Sequence, residues 1–163
     1  MATSLKNLSD FTNTEVPSAK GMRFGIVVAE WNPEITGALA QGAFDTLIKY
    51  GAEESDINIK FVPGTYELPL GAQFFLEYEK PDAVICLGCV IQGDTRHFDF
   101  ICDAASAGIM NLNLKYNTPV VFGVLTPNTQ EQALDRSGGK HGNKGDEAAV
   151  TAIKMISLQK SNW

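Results

Sequence analysis

The chain has 163 residues, of which 44% are hydrophobic and 20% are charged, and its formal net charge is −6. This length suits one domain with a sizeable core, and the composition excludes extensive disorder. The negative charge argues against a nucleic-acid-binding surface, and no apolar run is long enough to cross a membrane. The first residues, MATSLKNLSDFTNTEV, lack the apolar segment of a signal peptide, so we expect a cytoplasmic protein.

The N-terminal segment differs in character from the rest of the chain. Residues 1–20 are polar and aperiodic, which predicts an arm that must find its partners elsewhere or stay mobile. Residues 21–163 are predicted to form a single α/β domain. No internal repeat and no second domain is evident in the sequence.

From Met22 onward, apolar runs rich in β-branched residues alternate with amphipathic segments. The predicted strands are MRFGIVVAE (22–30), INIKFVPG (57–64), DAVICLGCVIQG (82–93) and TPVVFGVLT (118–126). The predicted helices cover residues 32–51, 65–79, 97–117, 128–136 and 146–160, with a glycine-rich break at 137–145. Thr129 and Gln132 have capping-box spacing at the start of the fourth helix. This alternation predicts a parallel sheet with helices on both faces, a three-layer α/β/α sandwich.

Cys86 and Cys89 form a CxxC motif, which is found in redox and metal sites. Both lie in a predicted strand, however, and residues three apart on a strand point to opposite faces. Two such sulfurs cannot share a metal or close a disulfide. We therefore interpret them as small buried hydrophobic residues.

Polar and aromatic side chains follow the predicted strands. In a parallel sheet the carboxyl ends of the strands meet at one edge, where ligands bind. An aromatic plane, an amide, a carboxylate and an imidazole at that edge suit a flat polar ligand. The residues collected there are Trp31, Asn32, Thr65, Glu67, Asp94, Thr95 and His97.

The GDT turn at residues 93–95 lies between a strand and a helix start. Its backbone N–H groups could hold phosphate or another anion, provided that the Asp94 carboxylate points away. An ordinary strand-to-helix turn would have the same sequence character. His97 likewise has two interpretations, as a structural residue or as an acid–base group tuned by Asp94 and Asp99.

A second anion site is predicted in DRSGGKHGNKG, residues 135–145, where Arg136, Lys140 and Lys144 surround glycines in an acidic protein. This loop does not match the P-loop pattern. The first strand-to-helix turn, AEWNPE, contains no glycine, so a dinucleotide-binding fingerprint is absent. No cluster of His, Cys and Asp has metal-ligand spacing.

These pieces together resemble the lumazine synthase family. The resemblance spans roughly residues 22 to 159 and is carried, in order, by AEWNPEIT, VPGTYELP, GCVIQGDTRHFDFI, VVFGVLT and EQALDRSGGKHGNKGDEAAVTAI. It implies a flavodoxin-like sheet and the penultimate step of riboflavin biosynthesis. In that reaction 5-amino-6-(D-ribitylamino)uracil and 3,4-dihydroxy-2-butanone 4-phosphate condense to 6,7-dimethyl-8-ribityllumazine, phosphate and water. It implies no metal and no organic cofactor.

The resemblance also implies roles for individual residues. Trp31 would stack on the pyrimidine, Asn32 and Glu67 would bind the ribityl chain, and His97 would be the acid–base residue. Arg136 and the amides of Asp94 and Thr95 would hold the phosphate. Further substrate contacts are implied for Thr65, Tyr66, Val90, Ile91, Gly93, Phe122 and Lys144. Gln92 departs from the family pattern, because many relatives carry arginine there. The site then has one positive charge fewer, so we expect a weaker affinity for phosphate than in the relatives with arginine.

The resemblance further implies a homopentamer in which Phe122, Arg136 and Lys144 come from the adjacent subunit. The arm would add a strand to a neighbour's sheet. The short GGKHGN linker favours an icosahedral shell of pentamers, and whether riboflavin synthase lies inside is left open. Two rival interpretations are a flavodoxin-like FMN carrier and a family member that binds flavin or lumazine without catalysis.

Overall fold

The computed structural model describes residues 7–161, and a parallel sheet forms its centre. The strand order is β2-β1-β3-β4, with β1 (Phe24–Ala29), β2 (Ile57–Val62), β3 (Ala83–Cys89) and β4 (Val120–Leu125). All three strand pairs are parallel, so the predicted four-stranded parallel sheet is confirmed. The predicted strands extended further at their polar ends, where the chain leaves the sheet and forms the connections to the helices.

Five α-helices connect and cover the strands. They are α1 (Pro33–Lys49), α2 (Leu68–Phe74), α3 (His97–Tyr116), α4 (Gln130–Leu134) and α5 (Lys144–Gln159). The helix predicted over 65–79 is a succession of three forms: a 3₁₀ turn at Thr65–Glu67, then α2, then a π-helical turn at Phe75–Glu79. Within residues 7–161, no helix is long and apolar enough to cross a membrane.

The core lies on both faces of the sheet. Ile26, with the other residues of the sheet that point to the same face, packs with Leu39 of α1 and Ile153 of α5. Val27, one residue further along β1, packs with Ala72 of α2 and Ile109 of α3 on the other. Each fully buried Val, Leu or Ile contributes roughly 2 kcal/mol of apolar stabilisation. Two helical layers therefore enclose the sheet, as the sequence predicts.

The CxxC cysteines lie on opposite faces of β3. Cys86 belongs to the cluster under α2 and α3, whereas Cys89 belongs to the cluster under α1 and α5. Burial raises the pKa of each thiol to about 12, so both stay protonated at neutral pH. Their interpretation as buried hydrophobic residues is confirmed.

The segment predicted as a glycine-rich break is more ordered than expected. It forms a short antiparallel hairpin of β5 (Ser137–Gly139) and β6 (Gly142–Asn143). The following helix begins at Lys144, two residues before its predicted start, because the Asn143 side chain accepts the Gly145 N–H at 2.7 Å and caps it. The predicted cap of α4 is confirmed, since Thr129 Oγ1 accepts the Gln132 N–H at 3.3 Å.

The arm finds partners within its own chain at two places. Ala19 is fully buried, and its N–H donates to the Tyr50 carbonyl at 2.8 Å. Leu8 N–H donates to the His141 carbonyl at 2.8 Å. The expectation that the arm lacks partners in its own chain is therefore wrong for these residues. Pairing with a neighbouring sheet stays a prediction, and residues 1–6 lie outside the described part of the chain.

Candidate active site

The carboxyl ends of β1, β2 and β3 frame an open cleft of about 770 Å³. The connections that follow these strands contribute most of the lining, and α3 contributes His97, Phe100 and Ile101. Eight of the residues predicted for substrate binding or catalysis line this histidine cleft: Trp31, Asn32, Thr65, Tyr66, Glu67, Val90, Ile91 and His97. Of the seven residues predicted to collect at this edge of the sheet, five line the cleft, whereas Asp94 and Thr95 do not.

Hydrogen bonds beyond the strand ends hold the rim of the histidine cleft together. Glu30 N–H donates to the Val62 carbonyl at 2.8 Å, which extends the pairing of β1 with β2 by one residue. Val90 N–H donates to the Leu125 carbonyl at 2.9 Å and does the same for β3 with β4. These bonds fix the edge of the sheet from which the connections that line the cleft begin.

Trp31 presents an aromatic surface at this rim. Its side chain is 72% exposed, although it is one of the largest apolar groups in the chain. The next residue, Asn32, has left-handed backbone angles (φ 61°, ψ 57°), and its carbonyl accepts the Ile35 and Thr36 N–H groups, both at 3.0 Å. Asn32 therefore ends the strand connection and starts α1 immediately after the tryptophan. An exposed aromatic plane in a cleft is suited to stacking on a flat ligand.

Thr65 carries an unsatisfied polar atom in the wall of the histidine cleft. The residue is 5% exposed, and its Oγ1 has no hydrogen-bond partner within residues 7–161. A Cβ at Gly88 would lie 2.7 Å from this hydroxyl, so glycine makes the room that Thr65 occupies. An unpaired buried hydroxyl costs about 1–3 kcal/mol, which a polar group of a bound molecule would recover.

His97 is exposed and opens α3, a helix of 20 residues. Its N–H lies 3.4 Å from Thr95 Oγ1. Asp99, a predicted partner of the imidazole, instead pairs with Arg96 at 3.6 Å, and the Arg96 guanidinium lies 5.7 Å from the Phe100 ring centroid. His97 itself lines the histidine cleft.

The predicted phosphate loop lies beside the histidine cleft rather than in its wall. Gly93, Asp94 and Thr95 are exposed, and none of them lines the cleft. A Cβ on Gly93 would meet no atom within 4 Å, so space remains open around the loop. The loop's position before the N-terminus of a long helix still provides the positive dipole end that favours an anion.

The remaining predicted residues line a different cavity of about 350 Å³ at the end of β4. Phe122, Arg136 and Lys144 all border this arginine cavity. Arg136 is held by a hydrogen bond from Nη1 to the Gln132 carbonyl at 3.1 Å, and Lys144 Nζ lies 3.0 Å from Glu147 Oε1. In the described part of the chain, the arginine cavity and the histidine cleft share no lining residue. One chain therefore carries two separate groups of predicted site residues.

Some lining residues were missed by sequence reasoning. Phe100 lines the histidine cleft, and it could have been found because it lies three residues after His97 on the same helix face. Leu8 and His141 line the arginine cavity. Nothing in the local pattern around Leu8 indicates its position, because its contact with the hairpin joins distant parts of the chain.

A three-layer sandwich with a cleft at the carboxyl ends of its parallel strands defines a doubly wound α/β protein, a class in which small molecules bind at this edge of the sheet. Residues 21–160 match the family model described as 6,7-dimethyl-8-ribityllumazine synthase. The chain therefore belongs to the 6,7-dimethyl-8-ribityllumazine synthase family.

Relatives that carry this name cover nearly the whole chain. The protein from Cytophaga hutchinsonii is 59% identical over 157 residues, which is 96% of this chain and 98% of the relative. The proteins from Phocaeicola vulgatus and Parabacteroides distasonis are 51% and 53% identical, over 98% and 97% of this chain and 95% and 99% of their own lengths. An enzyme of this type is a transferase.

Proposed function

We propose that the protein condenses 5-amino-6-(D-ribitylamino)uracil with 3,4-dihydroxy-2-butanone 4-phosphate, which is the penultimate step of riboflavin biosynthesis. The products are 6,7-dimethyl-8-ribityllumazine, phosphate and water. The observation that carries this proposal is the convergence of Trp31, Glu67 and His97 on one cleft in a member of this family. The FMN-carrier alternative receives no comparable support, because the turn after β1 contains no glycine.

The histidine cleft suits the uracil substrate. The exposed Trp31 ring would stack on the pyrimidine, while Glu67 and Asn32 would bind hydroxyls of the ribityl chain. The unpaired Thr65 hydroxyl and the Ile91 backbone would bind the pyrimidine edge. These roles divide the ligand into a flat part held by stacking and a polar chain held by hydrogen bonds. Val90 and Tyr66 complete the wall of the cleft.

His97 is the residue that we assign to proton transfer. The substrate amine attacks the ketone carbonyl, an imine forms with loss of water, phosphate leaves, and closure of the second ring loses water again. Each step moves protons at nitrogen, carbon or oxygen, and an imidazole can both accept and donate them near neutral pH. Because bringing two substrates together supplies much of the acceleration, loss of His97 should slow turnover without abolishing it.

Arg136 and the Gly93–Thr95 loop are assigned to the phosphate. A guanidinium binds phosphate through two parallel hydrogen bonds, and oriented backbone amides stabilise the same charge as it departs. Lys144 and Phe122, which border the arginine cavity with Arg136, are assigned to the pyrimidine side of the site. Arg136, Lys144 and Phe122 lie in a different cavity from His97 within one chain, so a complete site needs a second subunit.

We therefore propose a homopentamer in which the arginine cavity of one subunit meets the histidine cleft of the next. Pentamers would assemble further into an icosahedral shell, a proposal supported by the short β5–β6 connection between α4 and α5. Riboflavin synthase is the partner that such a shell could enclose. The arm, residues 1–20, would lie across the interface, and the family match begins at residue 21.

Mixing the two substrates with the purified protein tests the reaction directly. Lumazine absorbance should rise with a matching release of phosphate, and no product should form when either substrate is omitted. Protein that binds stoichiometric FMN but forms no lumazine would contradict the proposal. Sedimentation velocity on the same sample tests the assembly, and a monomer that is fully active would refute the shared site.

A further inference from the structure

The first described residues of the arm contact the β5–β6 hairpin. Leu8 N–H donates to the His141 carbonyl at 2.8 Å, and Asn143 N–H donates to Ser9 Oγ at 2.9 Å. The Ser9 hydroxyl also interacts with the Asp146 carboxyl and lowers its pKa, against the larger opposite effect of burial. One hydroxyl thus interacts with both the hairpin and the first turn of α5.

The hairpin is shaped to receive these residues. Gly142 has φ +80°, a conformation that favours glycine, and a Cβ there would collide with Asn7 Oδ1 and lie 2.8 Å from Ser9 N. Gly138, on the other strand of the hairpin, has φ +120°, but a Cβ there would meet nothing within 4 Å. The arm therefore lies close enough to exclude a side chain at Gly142, but not at Gly138.

The cationic residues of the arginine cavity, Arg136 and Lys144, directly precede and follow the hairpin. Lys144 N–H donates to the Arg136 carbonyl at 2.8 Å, which closes the base of the hairpin. Lys144 also directly follows Asn143, whose N–H bonds Ser9. Leu8 itself lines the cavity beside Arg136 and Lys144. The arm thus forms part of the cavity wall through Leu8, and it also contacts the hairpin that joins Arg136 to Lys144.

We infer that Asn7, Leu8 and Ser9 form a clasp that positions Arg136 for the phosphate-bearing substrate, through the backbone bond between Lys144 and Arg136. Leu8 closes one wall of the arginine cavity, and Ser9 fixes the turn from the hairpin into α5. The inference rests on the proposed function and adds arm residues to its machinery as positioning residues. It is compatible with an arm that crosses to a neighbouring subunit, because a hairpin that completes the neighbour's site lies at the same interface.

Two pairs of variants test the clasp in the full-length assembled protein. Ser9→Ala removes the hydroxyl bridge, and Ser18→Ala is its control, since the Ser18 hydroxyl accepts a hydrogen bond from the Lys20 N–H within the arm. Gly142→Ala places a methyl group against the arm. Gly138→Ala is its control, because it adds similar backbone strain without touching the arm.

The readouts separate positioning from general destabilisation. Ser9→Ala and Gly142→Ala should each raise the KM for the butanone phosphate about fivefold over their controls, the effect of one lost hydrogen bond. The kcat and the KM for the uracil substrate should change by less than about twofold. The Kd for inorganic phosphate, measured by calorimetry, should rise in parallel with the KM. Variants that match their controls in both the KM and the phosphate Kd would overturn the clasp.

A failure of the proposed function is distinguishable from a failure of the clasp. Wild-type protein that forms no lumazine would refute the function. In that case hydrogen exchange at the Leu8 amide and the phosphate Kd still test the clasp. Faster exchange together with weaker phosphate binding in Ser9→Ala supports it, and an unchanged phosphate Kd overturns it.

Discussion

Asn32 donates a hydrogen bond from Nδ2 to the Cys89 carbonyl at 3.0 Å. The bond joins the residue that starts α1 to the last residue of β3, so two neighbouring strand ends of the histidine cleft are held together by a side chain. Asn32 also adopts the left-handed conformation in which asparagine is tolerated better than most residues. One residue thus sets both the direction of the chain and the spacing of the rim.

Replacing Asn32 should separate these two contributions. Asn32→Gly loses the bond to Cys89 but keeps the backbone conformation, so we expect the free energy of unfolding to fall by about 1 kcal/mol. Asn32→Ala also strains the backbone and should cost about 2 kcal/mol. Urea denaturation measures both values. Equal losses in the two variants would show that the left-handed conformation contributes nothing to stability.

Trp31 is expected to act through its aromatic face. Trp31→Ala should raise the KM for the uracil substrate at least about fivefold, because stacking between aromatic groups contributes about 1 kcal/mol beyond the buried area. Trp31→Phe retains a ring and should stay within about threefold of wild type. The KM for the butanone phosphate is the internal control and should hardly change. Similar effects on both KM values would argue against stacking on the pyrimidine.

The sheet and most of the histidine cleft could be predicted because they depend on local patterns. Continuous apolar strands such as β3 indicate a buried parallel sheet, and residues that follow such strands necessarily meet at one edge. Trp31 and His97 could therefore be assigned to one place without coordinates. The same argument predicted that Cys86 and Cys89 lie on opposite faces.

The hairpin and the clasp could not be predicted in this way. Residues 137–143 form a hairpin in which Gly138 and Gly142 have positive φ. Their sequence is rich in glycine and lacks the apolar alternation of an ordinary strand. The bond between Ser9 and Asn143 joins residues 134 positions apart in the sequence. No local periodicity carries information about such a contact. The division of the site residues between two cavities is likewise a property of the folded chain.

Gln92 offers a gain-of-affinity test of the phosphate loop. Its side chain is exposed and donates from Nε2 to the Gly93 carbonyl at 3.0 Å, while its N–H donates to the Pro127 carbonyl at 2.9 Å. Gln92→Arg adds a positive charge beside the loop without disturbing the backbone bond. We expect the KM for the butanone phosphate to fall about threefold to tenfold, as a charge-assisted bond to phosphate would produce.

The control for this variant is Gln92→Met, which has similar size and no charge. It should leave the KM for the butanone phosphate near the wild-type value. A KM that does not respond to Gln92→Arg would argue against phosphate binding at the Gly93–Thr95 loop. Raising the salt concentration should weaken the gain, since exposed charges are screened.

Asp82 should give the folded protein part of its stability at neutral pH, and this part should be lost in acid. Burial alone raises the pKa of this carboxyl. The Arg23 N–H at 2.7 Å and the Lys160 ammonium at 2.9 Å outweigh burial, so the pKa lies below the ordinary value of an aspartate. A lowered folded-state pKa stabilises the protein above the unfolded-state value, and the stabilisation is lost as the pH falls through the folded-state pKa. Because Asp82 is partly exposed, solvent screening limits the effect.

The expected result is that Asp82→Asn lowers the free energy of unfolding by about 1 kcal/mol at pH 7. The difference from wild type should shrink below about pH 4, where the wild-type carboxyl also becomes protonated. Lys160→Ala should reproduce part of the loss. Lys154→Ala should not, because Lys154 lies in α5, the helix that ends just before Lys160, and has no ion pair within the described residues. A difference between Asp82→Asn and wild type that is independent of pH would contradict the assignment.

The two cavities make a strong prediction about mixed assemblies. His97→Ala damages only the histidine cleft and should slow turnover about a hundredfold, whereas Arg136→Ala damages only the arginine cavity. In a ring of the two variants mixed randomly in equal amounts, half of the clefts and half of the neighbouring cavities are intact. About a quarter of the sites would therefore combine an intact cleft with an intact cavity from the neighbour. Co-assembled variants should therefore recover about a quarter of wild-type activity, measured as lumazine formation per site. Each variant assembled alone is the control, and activity equal to the average of the two variants would mean that each site is built from a single chain.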